Sequence, residues 1–314
     1  MVGYVAAGSL ALNILFAIGL WRVDHRQETR LARLEARANL GQTTPAGAGL
    51  SPSGGKAARA DRVAILLAAA GNADQSRQVL ESVSTPEAVD MARTLLARPA
   101  ASDRNAALDV LLQKVVGDDP AQAISLLDEV PEPTLRNTLA VHVTNLWIEG
   151  SADAAARWLG AAGERVLSRD AFDAQLARAA VRWSAYDPAA ATEFLAARQA
   201  PGENSLAALA NASAEWGRKD AASALTWAQN LPAADPKRFG LVQSILAGWA
   251  EHEPARAAAY LQDRLYDGGE GGELYFSSVG LVAERWAKLD LNTAAQWALA
   301  LPGGRARRDA LRRV

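Results

Sequence analysis

The sequence predicts an all-α protein: a right-handed solenoid of helix-turn-helix repeats, with a period of about 33–37 residues, following one N-terminal transmembrane helix. Three observations predict it. Half the residues are hydrophobic, and the bias is toward Ala and Leu, which have the best helix propensities. Large rings recur in pairs eleven residues apart: Trp147 and Trp158, Trp183 and Phe194, Trp216 and Trp227, Trp249 and Tyr260, Trp286 and Trp297. A 19-residue run, Gly3 to Trp21, carries no charge.

The ring pairs define a frame. Successive first rings are spaced by 36, 33, 33 and 37 residues. Upstream, Val115 and Leu126 occupy the same two positions. Eight residues after each first anchor stands an alanine: Ala123, Ala155, Ala191, Ala224, Ala257 and Ala294. An acid-proline step falls between the anchors at Asp119-Pro120, Asp187-Pro188 and Glu253-Pro254. Val130-Pro131, Leu231-Pro232 and Leu301-Pro302 close their units.

Each position has a physical reading. The first anchor ends one helix, and Asp caps the next while Pro is tolerated in its first turn. The fixed Ala marks a close helix crossing, and the second ring follows on the same buried stripe. Pro then stops the second helix. Such a hairpin cannot bury its apolar face alone, so stacked neighbours must complete the core.

This frame resembles the tetratricopeptide-type helical repeats, most clearly in ANASAEWGRKDAASALTWAQNLP, Ala210 to Pro232. The resemblance covers roughly residues 105 to 302 and rests on the period, the fixed Ala, the ring in the second helix and the closing Pro. It implies a groove lined by first helices that binds a protein or peptide, and it implies no chemistry. Residues 105–314 are therefore expected to be the repeat domain, and 57–104 a helical cap in which the frame is lost.

At the N-terminus, Gly3 to Trp21 as a helix spans about 28 Å, close to the bilayer core. Tyr4 and Trp21 suit the two interfaces. No Lys or Arg precedes the run and no small-x-small cleavage site follows closely, so a retained anchor over residues 1–21 is expected rather than a signal peptide. Ser9, Asn13 and Ala17 share one face, suited either to packing on another span or to simple tolerance. Residues 22–40 read as a charged helical stalk and 41–56, GQTTPAGAGLSPSGGK, as a flexible Gly/Pro/Ser linker. Arg22, Arg26, Arg30, Arg33 and Arg37 follow the span, so the positive-inside rule places the bulk domain in the cytoplasm of a bacterial inner membrane; a periplasmic domain is the alternative.

Catalytic chemistry is not expected. The three His (His25, His142, His252) show no metal-ligand spacing, there is no Cys, and no phosphate loop or nucleophile elbow is present. Asp118-Asp119 falls at a helix start, where capping accounts for it. No cofactor, nucleic acid or small-molecule substrate is expected, consistent with a net charge of −2. Arg178, Arg182 and Arg285, on first helices beside the anchors, are the candidate partner contacts. The segment Asp267 to Glu273 reads as a Gly-rich loop lengthening one unit, and Arg305 to Val314 as the first helix of a further unit, with its arginines solvated. The function these features imply is a membrane-anchored scaffold that binds a protein or peptide; the alternative is a structural subunit of an envelope complex assembled through its transmembrane helix.

Overall fold

The computed structural model describes residues 52–70, 72–199, 201–265 and 272–314. The expected anchor, the stalk and most of the linker lie outside the described residues. Residues 58–314 form one compact unit. The described residues hold helices and no strand. Among them, no helix is long and apolar enough to cross a membrane.

Three helices come first: α1 (Pro52–Ala69), α2 (Ala73–Glu81) and α3 (Thr85–Leu96). α1 begins inside the stretch read as linker, so Pro52 to Lys56 are helical rather than an open tether. Pro is acceptable there because a helix's first N–H groups have no intrahelical partner. Arg59 pairs with Asp90 at 2.8 Å and Arg62 with Glu87 at 2.6 Å, so α1 and α3 run antiparallel. The cap also keeps part of the repeat frame. Asn72 starts α2 by accepting a hydrogen bond from the Gln75 amide at 3.2 Å, and Ser76 is buried where later units carry the fixed Ala.

Hairpins follow in order. α4 (Ser102–Asp118) pairs with α5 (Pro120–Glu129), α6 (Pro133–Gly150) with α7 (Ala152–Ala162), and α8 (Arg169–Ser184) with α9 (Pro188–Ala196). α10 (Glu203–Asn230) is itself a hairpin, broken at Asp220. α11 (Arg238–Ala250) pairs with α12 (Pro254–Tyr260), which runs on into a π-turn at Leu261–Leu265. α13 (Gly272–Leu289) pairs with α14 (Leu291–Ala300), and α15 (Arg305–Arg313) ends the described chain. Gly272 and Glu273, read as loop, are the first residues of α13.

The turn within a hairpin is one residue in four units and three in the other two, Ala185–Asp187 and Glu251–Glu253. Asp119, Ser151, Asp187, Asp220, Glu253 and Asp290 each stand four residues after the first anchor. None of the six is helical, with φ of −146°, −156°, −136°, −154°, −130° and −151°. The four aspartates each accept a hydrogen bond from the amide three residues on, at 3.1 Å. This is the N-cap interaction expected of Asp before a helix.

The ring frame folds as paired rings. Centroids lie 5.7 Å apart for Trp147–Trp158, 5.6 Å for Trp183–Phe194, 5.3 Å for Trp216–Trp227, 5.8 Å for Trp249–Tyr260 and 5.6 Å for Trp286–Trp297. The fixed alanines are fully buried in all six units. The second rings are not fully buried, contrary to the reading that placed them on the Ala stripe. Three residues past the Ala is 300° around the helix, which puts each ring on the flank, over its partner, with an edge in water.

A further regularity escaped the sequence reading. Five residues after each unit-closing Pro stands a base: Arg136, Lys237 and Arg307; Arg104 stands likewise after Pro99. Arg104, Arg136 and Arg307 donate to the carbonyls of Arg98, Val130 and Leu301, at 3.1, 2.9 and 2.7 Å. Each guanidinium thus satisfies a carbonyl where the chain leaves a helix, α3, α5 or α14, a group that no helical N–H can reach.

Candidate functional groove

Two glycines position the site. A Cβ on Gly248 would sit 1.9 Å from the Ala214 carbonyl oxygen, and one on Gly217 would sit 2.2 Å from that of Ile245. The backbones of α10 and α11 therefore touch, which only glycine permits. Beyond that crossing, toward the helix N-termini, the same two helices line an open pocket of about 250 Å³. Leu206, Leu209 and Ala210 form one wall; Gly240, Leu241 and Ser244 form the other, and Pro236 and Lys237 close the end. A Cβ on Gly240 would meet nothing within 4 Å.

Leu206, Pro236 and Lys237 also line a more open depression of about 730 Å³, with Pro201, Pro232 and Arg198 on its other sides. Arg198 and Pro201 in turn border a third, of about 330 Å³, over Phe172 and Leu176. The three make one groove across the starts of α8, α10 and α11. Leu206 stands exposed along it, at 45%.

The bases on this groove are held in place. Lys237 Nζ donates to the carbonyls of Ala196 and Arg198, capping the end of α9. Arg198 donates to the Gly160 carbonyl at 3.2 Å and lies over the Phe172 ring at 5.4 Å. Asp173 reaches from α8 to the start of α10, accepting from the amides of Asn204 at 2.9 Å and Ser205 at 3.1 Å and from the Ser205 hydroxyl at 2.5 Å. Burial pushes the Asp173 carboxyl up, but these donors outweigh it and hold the group below its ordinary range. Most of the groove's charged groups thus serve the helix ends, and the walls of its α10–α11 part are mainly apolar.

The three predicted arginines lie elsewhere. Arg178 donates to Asn145 at 2.9 Å and Glu149 at 3.2 Å, and Arg182 pairs with Glu149 at 2.9 Å. Arg285 sits 3.7 Å from Glu251, which also pairs with Arg218 at 2.7 Å. Each therefore ties its first helix to the previous unit, and none lines the groove. Sequence reasoning missed Leu206, Ala210, Gly240 and Ser244. A signal was present ten residues before the anchors. Asn137 and Asp173 stand there in two units and cap the next first helix; Leu206 and Phe239 replace them in the following two and face water.

Among the described residues no group of three potential metal ligands occurs. His142 hydrogen-bonds Asp109 at 2.9 Å, linking α6 to α4. The chain matches no family model, no curated protein and no solved structure.

Proposed function

We propose that this chain is a membrane-anchored scaffold: a right-handed, tetratricopeptide-like solenoid, tethered by residues 3–21, that binds an apolar segment of a protein or peptide in the groove between α10 and α11. The observation that carries the reading is the pocket at Gly240. Leu206, Leu209 and Leu241 wall it, and Gly240 leaves open the space a side chain would fill. Burying an aliphatic side chain there contributes about 1.5–3 kcal/mol. Arg178, Arg182 and Arg285 act in this reading as ties between units, not as partner contacts. The role is binding without catalysis, and the bulk domain faces the cytoplasm.

The test is site-specific photocrosslinking of the full chain in its native membrane, with a photoreactive residue at 240 or, as control, at 182. The expected result is a discrete protein adduct from position 240 that disappears in Ala210→Trp. Adducts from 182 alone, or adducts from 240 that persist when the pocket is filled, would overturn the assignment.

A further inference from the structure

Arg198 borders two parts of the groove. Its guanidinium lies over the Phe172 ring, 5.4 Å from the centroid, and its Nη1 donates to the Gly160 carbonyl at 3.2 Å. Phe172 borders only the pocket over Leu176, whereas Arg198 also borders the open depression beyond it. One wall of that depression is therefore a cation that a ring and a carbonyl already hold in place. Its other walls include Pro201, Pro232, Pro236 and Leu206. These offer C–H surface, and the three prolines have no backbone N–H. Lys237 is there too, with Nζ on the Ala196 and Arg198 carbonyls. Among the described residues no carboxylate pairs with Arg198 or Lys237. Asp235, on the same rim, accepts from the Lys237 amide at 2.8 Å.

This combination selects among side chains. An aliphatic group meets the prolines and Leu206 but gives the two cations nothing. A carboxylate meets the cations but loses water against apolar walls, where each oxygen left without a donor is costly. An aromatic ring satisfies both, because its body packs on C–H surface while its negative face takes a cation. We infer that the segment bound in the groove carries an aromatic side chain, seated in the Pro201–Pro232–Pro236 depression with its face on Arg198. The guanidinium then has a ring on either side, Phe172 and that of the bound segment. Leu206 and Pro236 border this depression and the Gly240 pocket alike, so the ring lies next to the aliphatic side chain placed there. The inference rests on the groove being the binding site and names the chemistry of what it binds.

The chain contains no Cys, so Ala234→Cys puts a single trifluoromethyl label on the depression, in the full chain reconstituted in lipid nanodiscs. The probes are N-acetyl-phenylalaninamide, its cyclohexylalanine analogue and its glutamate analogue. The cyclohexyl probe is the more hydrophobic of the first two, but only the phenyl probe offers a face to a cation. A cation–π contact open to water makes the phenyl probe bind about two- to fivefold tighter. Its ring current is also expected to move the fluorine signal saturably at 234, and not at a control label on the exposed Ala222→Cys. Arg198→Gln is expected to abolish the preference for phenyl. The comparison of probes with Arg198 in place needs no such variant, so a folding defect in it cannot hide the answer. Three results would each overturn the inference: no saturable shift at 234, a cyclohexyl probe that binds as tightly as the phenyl one, or a glutamate probe that binds tightest. Photocrosslinking from position 240 tests the groove separately. Adducts there without a ring preference remove the ring and keep the groove, and a ring preference without adducts does the reverse.

Discussion

Replacing Gly248 with Ala adds one methyl carbon at the place where two backbones touch. That carbon would lie 1.9 Å from the Ala214 carbonyl oxygen, 2.6 Å from its carbon and 2.8 Å from its Cα. A carbon and a carbonyl oxygen approach no closer than about 3.3 Å. The obstacle is backbone, so no rotamer change relieves it, and α10 and α11 must part by more than an ångström. Overpacking of this kind costs about 1–3 kcal/mol, and the rigid neighbour places this case at the upper end. The better helix propensity of Ala returns about 1 kcal/mol, leaving a net loss of about 2 kcal/mol. Gly240→Ala is the control, on the same helix. Its Cβ meets nothing, so only the propensity gain remains, and a stabilisation of about 1 kcal/mol is expected. Urea unfolding followed by tryptophan fluorescence measures both. The crossing is wrong as described if Gly248→Ala is neutral, and the open space at Gly240 is wrong if Gly240→Ala destabilises.

Three other outcomes are expected. Trp216→Ala should cost about 3–5 kcal/mol in the same unfolding assay, because it removes a buried ring packed at a tilt against Trp227 and leaves a cavity. Asp173 has a folded-state pKa below its unfolded value, so its contribution is present above the unfolded pKa and is lost as pH falls through the folded one. The stability of Asp173→Asn should therefore depend less on pH below about 4 than that of the parent, as urea midpoints across that range will show. Lys237→Met should leave the Ala196 and Arg198 carbonyls without their donor and cost about 1–2 kcal/mol, with faster amide exchange confined to the end of α9.

The hairpins were legible because their determinants are local. The ring pair, the fixed Ala and the capping acid lie within twelve residues of one another, and each leaves a mark in composition at a fixed spacing. The groove was not legible, because its walls come from two units and its key residue contributes an absence. Gly240 in a sequence reads as a weak helix position; only the packing of α10 on α11 shows that the space beside it is empty. The ion pairs of the arginines were not legible for a related reason. Arg182 and Arg285 stand just before their anchors on first helices, where the family resemblance implies a binding face. The glutamates that hold them belong to the preceding unit, about 33 residues back. A single unit read alone does not reveal such a partner. The closing-Pro base was written plainly at a fixed offset, and it was passed over because a surface Arg or Lys invites no explanation until its carbonyl is seen.

The short turn within each hairpin decides where this chain tolerates a change of length. Between the two anchors of a unit the separation is always eleven, whereas from one unit to the next it runs from 32 to 37. An extra residue at Asp187 or Asp220 would turn the second helix by about 100°, carrying Ala191 or Ala224 out of the crossing and the ring off its partner. The same residue added between units would lengthen a surface connection and leave both hairpins intact. The molecule therefore behaves as rigid two-helix words joined by elastic spaces. Insertions that carry a tag or a fluorophore belong after a closing Pro, never at the acid that precedes the second helix.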